Sequence, residues 1–387
     1  MTAALAACRS KAPPAALEPR ALGAPISPYG SRSHFEKATR FFRPTTIPEE
    51  ASSRTPLQDT YGIVTPSSLH FERHHAGVPD LDPAAHTLTI HGLVDRPTVF
   101  TVDDLKRLPS ISRIVFLECS GNSGSEWRGP GESDVQRAHG LTSCSEWTGV
   151  RLSTLLKECG VRPGGTWVLA EGADACKLAR SVPIAKAMDD ALVVYGQNGE
   201  ALRPEQGYPL RLLLPGWEGN TNVKWLRRLK VMDQPAMTRW ETSKYTDLMA
   251  DGSARQFTFD MDAKSLITRP SGGQKLPGPG VYEMTGLAWS GRGAIARVDV
   301  TIDGGATWTK ADLQEPVLPR AHTRFRWTWR WDGKETRFAS RCVDDTGYEQ
   351  PSLAALVDAR GTNSTYHNNA IQVWKIADDG TITNGIS

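Results

Sequence analysis

Hydrophobic and polar positions follow two rhythms along this chain, and the change comes near residue 255. Beyond it, apolar residues recur at every second position. Val298-Asp299-Val300-Thr301-Ile302 alternates, Asp303-Gly304-Gly305 turns the chain, and Ala306-Thr307-Trp308 follows, a pattern of half-buried strands joined by tight turns. Arg326-Trp327-Thr328-Trp329-Arg330-Trp331 repeats it, with tryptophans on one face and Arg and Thr on the other. Phe338 to Val343 and Ala370 to Ile376 are further strands between Asp/Gly turns. Short strands at this spacing, without a helical period, predict an antiparallel β-sandwich of immunoglobulin type.

Before residue 255 the pattern is mixed, so the fold class is α+β. Thr101 is a cap residue ahead of an acidic first turn, and Pro109 stops the helix predicted to end at Leu108. Ile114 to Leu117 is a short apolar run, read as a buried strand. Ser153 reads as the cap of a helix Thr154 to Cys159 that Gly160 ends. Thr166 to Leu169 and Leu210 to Leu214 are strands, and the region closes near Val231. Residues 1 to about 58 are rich in Ala, Pro, Ser and Arg without periodicity, which predicts an extended arm. The expected domains are 59–235 and 271–378, with a connecting segment 236–270 and a tail 379–387.

With 387 residues, 39% apolar and 23% charged, the chain has material for two ordinary domains. A formal net charge of +2 argues against a nucleic-acid binder. Twelve tryptophans point to crowded aromatic cores and rigid pocket walls. Leu5-Ala6-Ala7-Cys8 resembles a lipoprotein cleavage box, but few apolar residues and no basic region precede it. No segment approaches the roughly 20 apolar residues of a membrane span.

Cys8, Cys119, Cys144, Cys159, Cys176 and Cys342 form no CxxC pair and no zinc-finger spacing, and without a CxxCH no c-type haem is attached to this chain. HExxH, Walker A, GxSxG and dinucleotide GxGxxG signatures are missing. What carries chemistry is Cys119, at the end of the predicted strand and ahead of Ser120-Gly121-Asn122. A thiolate there is a soft-metal ligand; the alternative is a small buried apolar residue. Phe71-Glu72-Arg73-His74-His75, Tyr208-Pro209-Leu210-Arg211 and Asn222-Val223-Lys224 add cations in separate loops. Around one cavity they suit a phosphate-bearing cofactor, Arg by forked pairing and Lys as a point charge; otherwise they are a solvated basic surface.

These segments, taken in order, resemble the sulfite oxidase family. The resemblance runs from about residue 60 to 376: Arg73 and His75, Glu118-Cys119-Ser120-Gly121-Asn122, Trp147-Thr148-Gly149-Val150-Arg151-Leu152 and Val223-Lys224-Trp225-Leu226-Arg227-Arg228, then Ala288-Trp289-Ser290-Gly291 and Asp303-Gly304-Gly305-Ala306-Thr307-Trp308. It implies a mixed α/β molybdopterin domain, followed by a sandwich through which two chains pair as a homodimer. The implied cofactor is molybdenum on a single pyranopterin. Cys119 matches the metal-ligating thiolate, Arg73 an arginine on the substrate side, and Tyr245 a hydrogen-bonding tyrosine near the metal's oxygen ligand. Phe71, Arg73, His74, His75, Ser120, Asp174, Gln206, Arg211, Asn222, Val223 and Lys224 fall on cofactor-contacting positions.

Two departures bear on the substrate. Family members that oxidise free sulfite carry an arginine pair where this chain has Ser123-Gly124, and a further pocket arginine is replaced around Tyr366-His367-Asn368-Asn369. Fewer cations weaken capture of a small dianion. Pro215-Gly216-Trp217-Glu218-Gly219-Asn220 and Glu241-Thr242-Ser243-Lys244-Tyr245 resemble the branch of the family that oxidises sulfane sulfur held on a cysteine of a sulfur carrier protein. That branch works in the periplasm with a c-type cytochrome subunit. The rivals are a sulfite dehydrogenase, a periplasmic sulfoxide reductase, and a binding protein without cofactor.

Overall fold

The structure, a computed structural model, describes residues 22–131, 134–363 and 365–385, so Cys8 lies outside the described residues. Up to Ala38 the described residues belong to a separate unit without helix or strand. From Thr39 onward the chain forms the second unit. The boundary expected at residue 58 therefore falls inside it. Phe41–Arg43 pairs with Ser52–Arg54, which pairs with Glu72–Arg73, and Ala51, Thr55 and Leu57 are buried. Strands of two or three residues are too short for an alternating pattern to reveal.

Two five-stranded sheets build the first domain. One orders Glu200–Ala201, Leu192–Gln197, Thr142–Arg151 and Ser110–Glu118, with Arg211–Leu213 also on Leu192–Gln197, all antiparallel. The other orders Thr98–Thr101, Thr87–Gly92, Leu226–Met232, Trp167–Gly172 and Ala179–Pro183, in which Leu226–Met232 runs parallel to Thr87–Gly92. Leu88, Ile90, Leu155, Leu156, Val168, Val193, Leu212 and Leu229 share one core. Thr101 caps the helix Val102–Lys106 as its sequence predicts: its Oγ1 accepts from the Asp104 N–H, and the Asp104 side chain accepts from the Thr101 N–H. The next helix, Leu152–Cys159, corrects an expectation. Its cap is Arg151, the last residue of strand Thr142–Arg151, so the helix has begun by Leu152 and Ser153 lies inside the first turn. Gly160, at φ 71°, ends it in the left-handed region that favours glycine.

The second domain consists of two antiparallel sheets over one core. Lys264–Arg269, Gly280–Trp289, Thr323–Trp331 and Asp312–Gln314 form the first. Thr309–Lys310, Ile295–Thr301, Thr336–Asp344, Val373–Ile376 and Ile382–Asn384 form the second. The alternation Arg326 to Trp331 holds: Trp329 and Trp331 are buried while Arg326, Thr328 and Arg330 are exposed. Residues beyond 379, expected as a tail, include the edge strand Ile382–Asn384 with Ile382 buried.

Core residues of the second domain, among them Trp289, Phe325, Phe338 and Trp374, continue into Leu57, Phe116, Val135 and Cys144 of the first. Phe116 stacks on His322 with centroids 6.1 Å apart, and its N–H donates to the Arg320 carbonyl at 2.9 Å. Arg320 pairs in turn with Asp190 at 2.7 Å. A core shared in this way couples the two domains. Phe116→Ala is expected to cost about 3–5 kcal/mol. Hydrogen exchange should accelerate alike in Thr142–Arg151 and Thr323–Trp331; acceleration confined to the first would contradict the coupling.

Candidate active site

Strand Ser110–Glu118 pairs with Thr142–Arg151 from Ser110 to Glu118 and hands the chain to Cys119. The Cys119 N–H donates to the Leu141 carbonyl at 3.0 Å, and its own carbonyl accepts from the Asn122 N–H at 2.8 Å, which closes the turn. Gly219 crosses close behind: a Cβ there would stand 2.9 Å from the Glu118 carbonyl oxygen and 3.3 Å from the Cys119 Cα. The half-buried Cys119 thiol therefore faces a cleft from a fixed position. Burial pushes the thiol up, while the Gly121 N–H and the Arg73 guanidinium draw it down.

Two cations stand in the same cleft. Lys224 Nζ donates to His74 Nδ1 at 2.7 Å and to the carbonyls of Glu205 and Arg73 at 3.1 and 3.3 Å. His74 is lowered to about 4 by burial and by Lys224. Neutral at pH 7, it accepts at Nδ1 and presents its proton at Nε2 to Glu72, 2.7 Å away. Arg211 is buried over the Trp147 ring and donates to the Gln206 backbone and side-chain oxygens at 3.1 and 3.2 Å, but its Nε has no partner. Burial lowers its guanidinium to about 9. Among the described residues neither cation makes an ion pair with a carboxylate. Burial and the neighbouring Arg211 lower the Lys224 ammonium well below the usual lysine range, and its three hydrogens all have protein acceptors, so the unpartnered Arg211 Nε is the group that calls for a bound anion.

On the other side of Cys119, Tyr245 sits at φ 54°, a backbone region unusual for an aromatic residue. Its Oη lies 2.7 Å from His75 Nε2, and its ring lies 5.5 Å from that of Tyr366. Burial raises the phenol strongly, and burial with Arg73 lowers His75 to about 3. A protonated phenol thus donates to a neutral imidazole. The Arg73 guanidinium donates to the carbonyls of Glu50, at 2.9 Å, and His74.

Of the residues singled out in the sequence, Cys119, Arg73, Tyr245, Phe71, His74, His75, Asp174, Gln206, Arg211, Asn222, Val223 and Lys224 all line this cleft. Ser120 stands apart: fully buried, its hydroxyl accepts from Asn220 Nδ2 at 3.1 Å and its carbonyl from the His367 N–H at 2.7 Å. The Asn222 side chain is engaged within its own loop, accepting from the Leu214 N–H and donating to the Glu218 carbonyl. Asp174 accepts from the Leu178 N–H and from Cys176 Sγ. Leu178, Gly219, Asn220 and Trp225 also line the cleft without having been singled out as site residues. Behind them lies a buried set in which Glu218 pairs with Arg180 at 3.2 Å and His367 at 3.3 Å. Glu218-Gly219-Asn220 was visible as a motif, but its partners lie 38 and 149 positions away. At the Ser123-Gly124 departure, a Cβ on Gly124 would stand 2.7 Å from the Thr365 carbonyl oxygen. The second domain thus fills the space beside the turn.

Comparison with known proteins places this geometry. The oxidoreductase molybdopterin binding domain family matches residues 75–240, and the Mo-co oxidoreductase dimerisation domain family matches residues 255–374. In structure the chain is similar to the sulfane dehydrogenase SoxCD from Paracoccus pantotrophus, with a TM-score of 0.93 and 46% identity, covering 95% of this chain and 97% of that one. In sequence it is 32% identical over 345 residues to mitochondrial sulfite oxidase of Mus musculus, covering 81% of this chain and 62% of the relative. It is 33% identical over 301 residues to nitrate reductase [NAD(P)H] of Hordeum vulgare, covering 70% and 34%. The chain thus spans less than two thirds of these curated relatives. Molybdopterin carries a phosphate and a soft metal, and the residues present fit it: the orphaned Arg211 Nε suits the phosphate, with Lys224 in the same cleft, and the Cys119 thiol suits the metal. Matched in both domains and carrying that donor set, the chain belongs to the sulfite oxidase family of molybdopterin oxidoreductases.

Proposed function

We propose that this protein oxidises sulfane sulfur held on a cysteine of a carrier protein and passes the electrons to a c-type cytochrome subunit. The observation that carries the choice of substrate is the Ser123-Gly124 turn. Ser123 Oγ is taken by the buried Lys264 Nζ and by His139, and Gly124 is packed against Thr365, so the side chains of this turn offer no cation to a free dianion. Similarity to SoxCD sulfane dehydrogenase supports the same reading. Free sulfite is the rival substrate, since Arg73 still lines the cleft.

Molybdenum on its single pyranopterin, when bound, supplies two-electron oxygen transfer to sulfur. Cys119 would hold the metal, and Arg211 with Lys224 would hold the phosphate. Arg73 would stabilise negative charge developing on the product oxygens. Tyr245 keeps its proton on Oη and donates it to His75 Nε2, so the phenol oxygen is oriented toward the cleft. Gln206 and Phe71 form a supporting wall: Gln206 Nε2 donates to the Phe71 carbonyl at 3.0 Å and Arg211 rests on Gln206. We assign the second domain to the immunoglobulin-like class and to homodimer formation, which the dimerisation family match supports. We place the reaction in the periplasm, as in the branch it resembles. No described helix is long and apolar enough to cross a membrane.

Cytochrome c reduction assayed with a carrier-bound sulfane and, separately, with sulfite tests the substrate. With fewer charge-assisted bonds to a dianion, sulfite should show a kcat/KM about 10–100-fold lower; the reverse order would make the protein a sulfite dehydrogenase. Cys119→Ser should abolish turnover, and full activity with intact metal loading would sink the metal assignment. Arg211→Met should lower cofactor retention about 10–100-fold, read as molybdenum per chain after dialysis.

A further inference from the structure

Behind the Cys119 turn lies a buried charge pair that the proposed chemistry does not use. Lys264 belongs to the first strand of the second domain and is 1% exposed. Its Nζ donates to Ser123 Oγ at 2.5 Å and to the Asn368 carbonyl at 2.7 Å, and stands 3.8 Å from Glu118 Oε1. Glu118, the residue before Cys119, is 2% exposed. Its Oε1 accepts from Asn122 Nδ2 at 2.8 Å and its Oε2 from Trp289 Nε1, also of the second domain, at 2.7 Å. An ammonium has no acceptor, so the Ser123 hydroxyl proton goes to His139 Nδ1, 2.5 Å away. His139 is kept neutral by burial and by Lys264, and its Nε2–H donates to Gln372 Oε1 at 2.8 Å. Every hydrogen in this chain has one consistent direction.

The two ends of the turn are therefore gripped from the second domain, Glu118 by Trp289 and Lys264, Ser123 by Lys264. Charge matters as much as position. Glu118 directly precedes Cys119, and the field of a buried carboxylate is only weakly screened. We infer that Lys264 is a positioning and charge-balancing residue for the metal-binding thiolate: it fixes Ser123 and neutralises Glu118, so that the second domain completes the metal site. This rests on Cys119 as the metal ligand and is independent of which sulfur compound is oxidised.

Cofactor-loaded wild type, Lys264→Met, Glu118→Gln and the double variant are compared by redox titration of the molybdenum followed by electron paramagnetic resonance, with melting temperature as a control. No substrate enters the measurement, so failure of the sulfane proposal leaves the outcome interpretable. Lys264→Met should lower the midpoint potential, because an unbalanced carboxylate beside the thiolate opposes reduction. Glu118→Gln should raise it, and the double variant should return close to wild type. Molybdenum per chain after dialysis gives a second readout if a variant loads poorly. It should fall several-fold in Lys264→Met and recover in the double variant. Potentials that do not move or move in one direction, or a molybdenum content that is unchanged in Lys264→Met or fails to recover in the double variant, would reduce Lys264 to a packing residue and overturn the inference.

Discussion

Arg211 and Lys224 are buried in one cleft and, among the described residues, neither is in ion-pair contact with a carboxylate, a constraint around which the cleft is arranged. Removing one such cation from water costs several kcal/mol unless an anion or a full set of hydrogen bonds replaces the hydration. The protein completes that set for Lys224 and leaves the Arg211 Nε without a partner. Lys224 leans on two carbonyls and a neutral His74, and Arg211 on Gln206 and the face of Trp147. A phosphate-bearing ligand would complete Arg211. Once it is anchored there, the Cys119 thiol on the facing turn becomes the natural donor to a soft metal carried by the same ligand.

Much of this was legible in the sequence because the signals were local. A capping box at Thr101 and Asp104, alternation through Arg326 to Trp331, and a strand ending at Cys119 each depend on neighbours within a few residues. Most residues that line the cleft were legible as well, although through family motifs and not through any periodicity. What stayed hidden depends on distant pairing. Three-residue strands at Phe41–Arg43 and Ile382–Asn384 gain their partners only through tertiary contacts, so their segments read as arm and tail. Ser153 looks like a cap, yet the helix follows directly on strand Thr142–Arg151 and has begun by Leu152. Arg180 with Glu218, and Lys264 with Glu118, are invisible as pairs until the fold brings them together.

The two domains act as one structure around the thiol. The first contributes the strand, the turn and the cations. The second contributes Trp289, Lys264, Thr365 and His367 against the back and side of the same turn. A domain whose family name speaks of dimerisation thus also packs against the turn that carries Cys119. Loss of cationic side chains at Ser123-Gly124 is then no isolated change. The space is filled from across the interface, which leaves Arg73 as the arginine facing the cleft beside the thiol.

Native mass spectrometry of the chain produced with ample molybdenum tests the central claim most directly. It should show one molybdenum and one phosphate-bearing pterin per chain, released together on unfolding. A folded chain that carries neither, yet still passes electrons from a carrier-bound sulfane to cytochrome c, would contradict it.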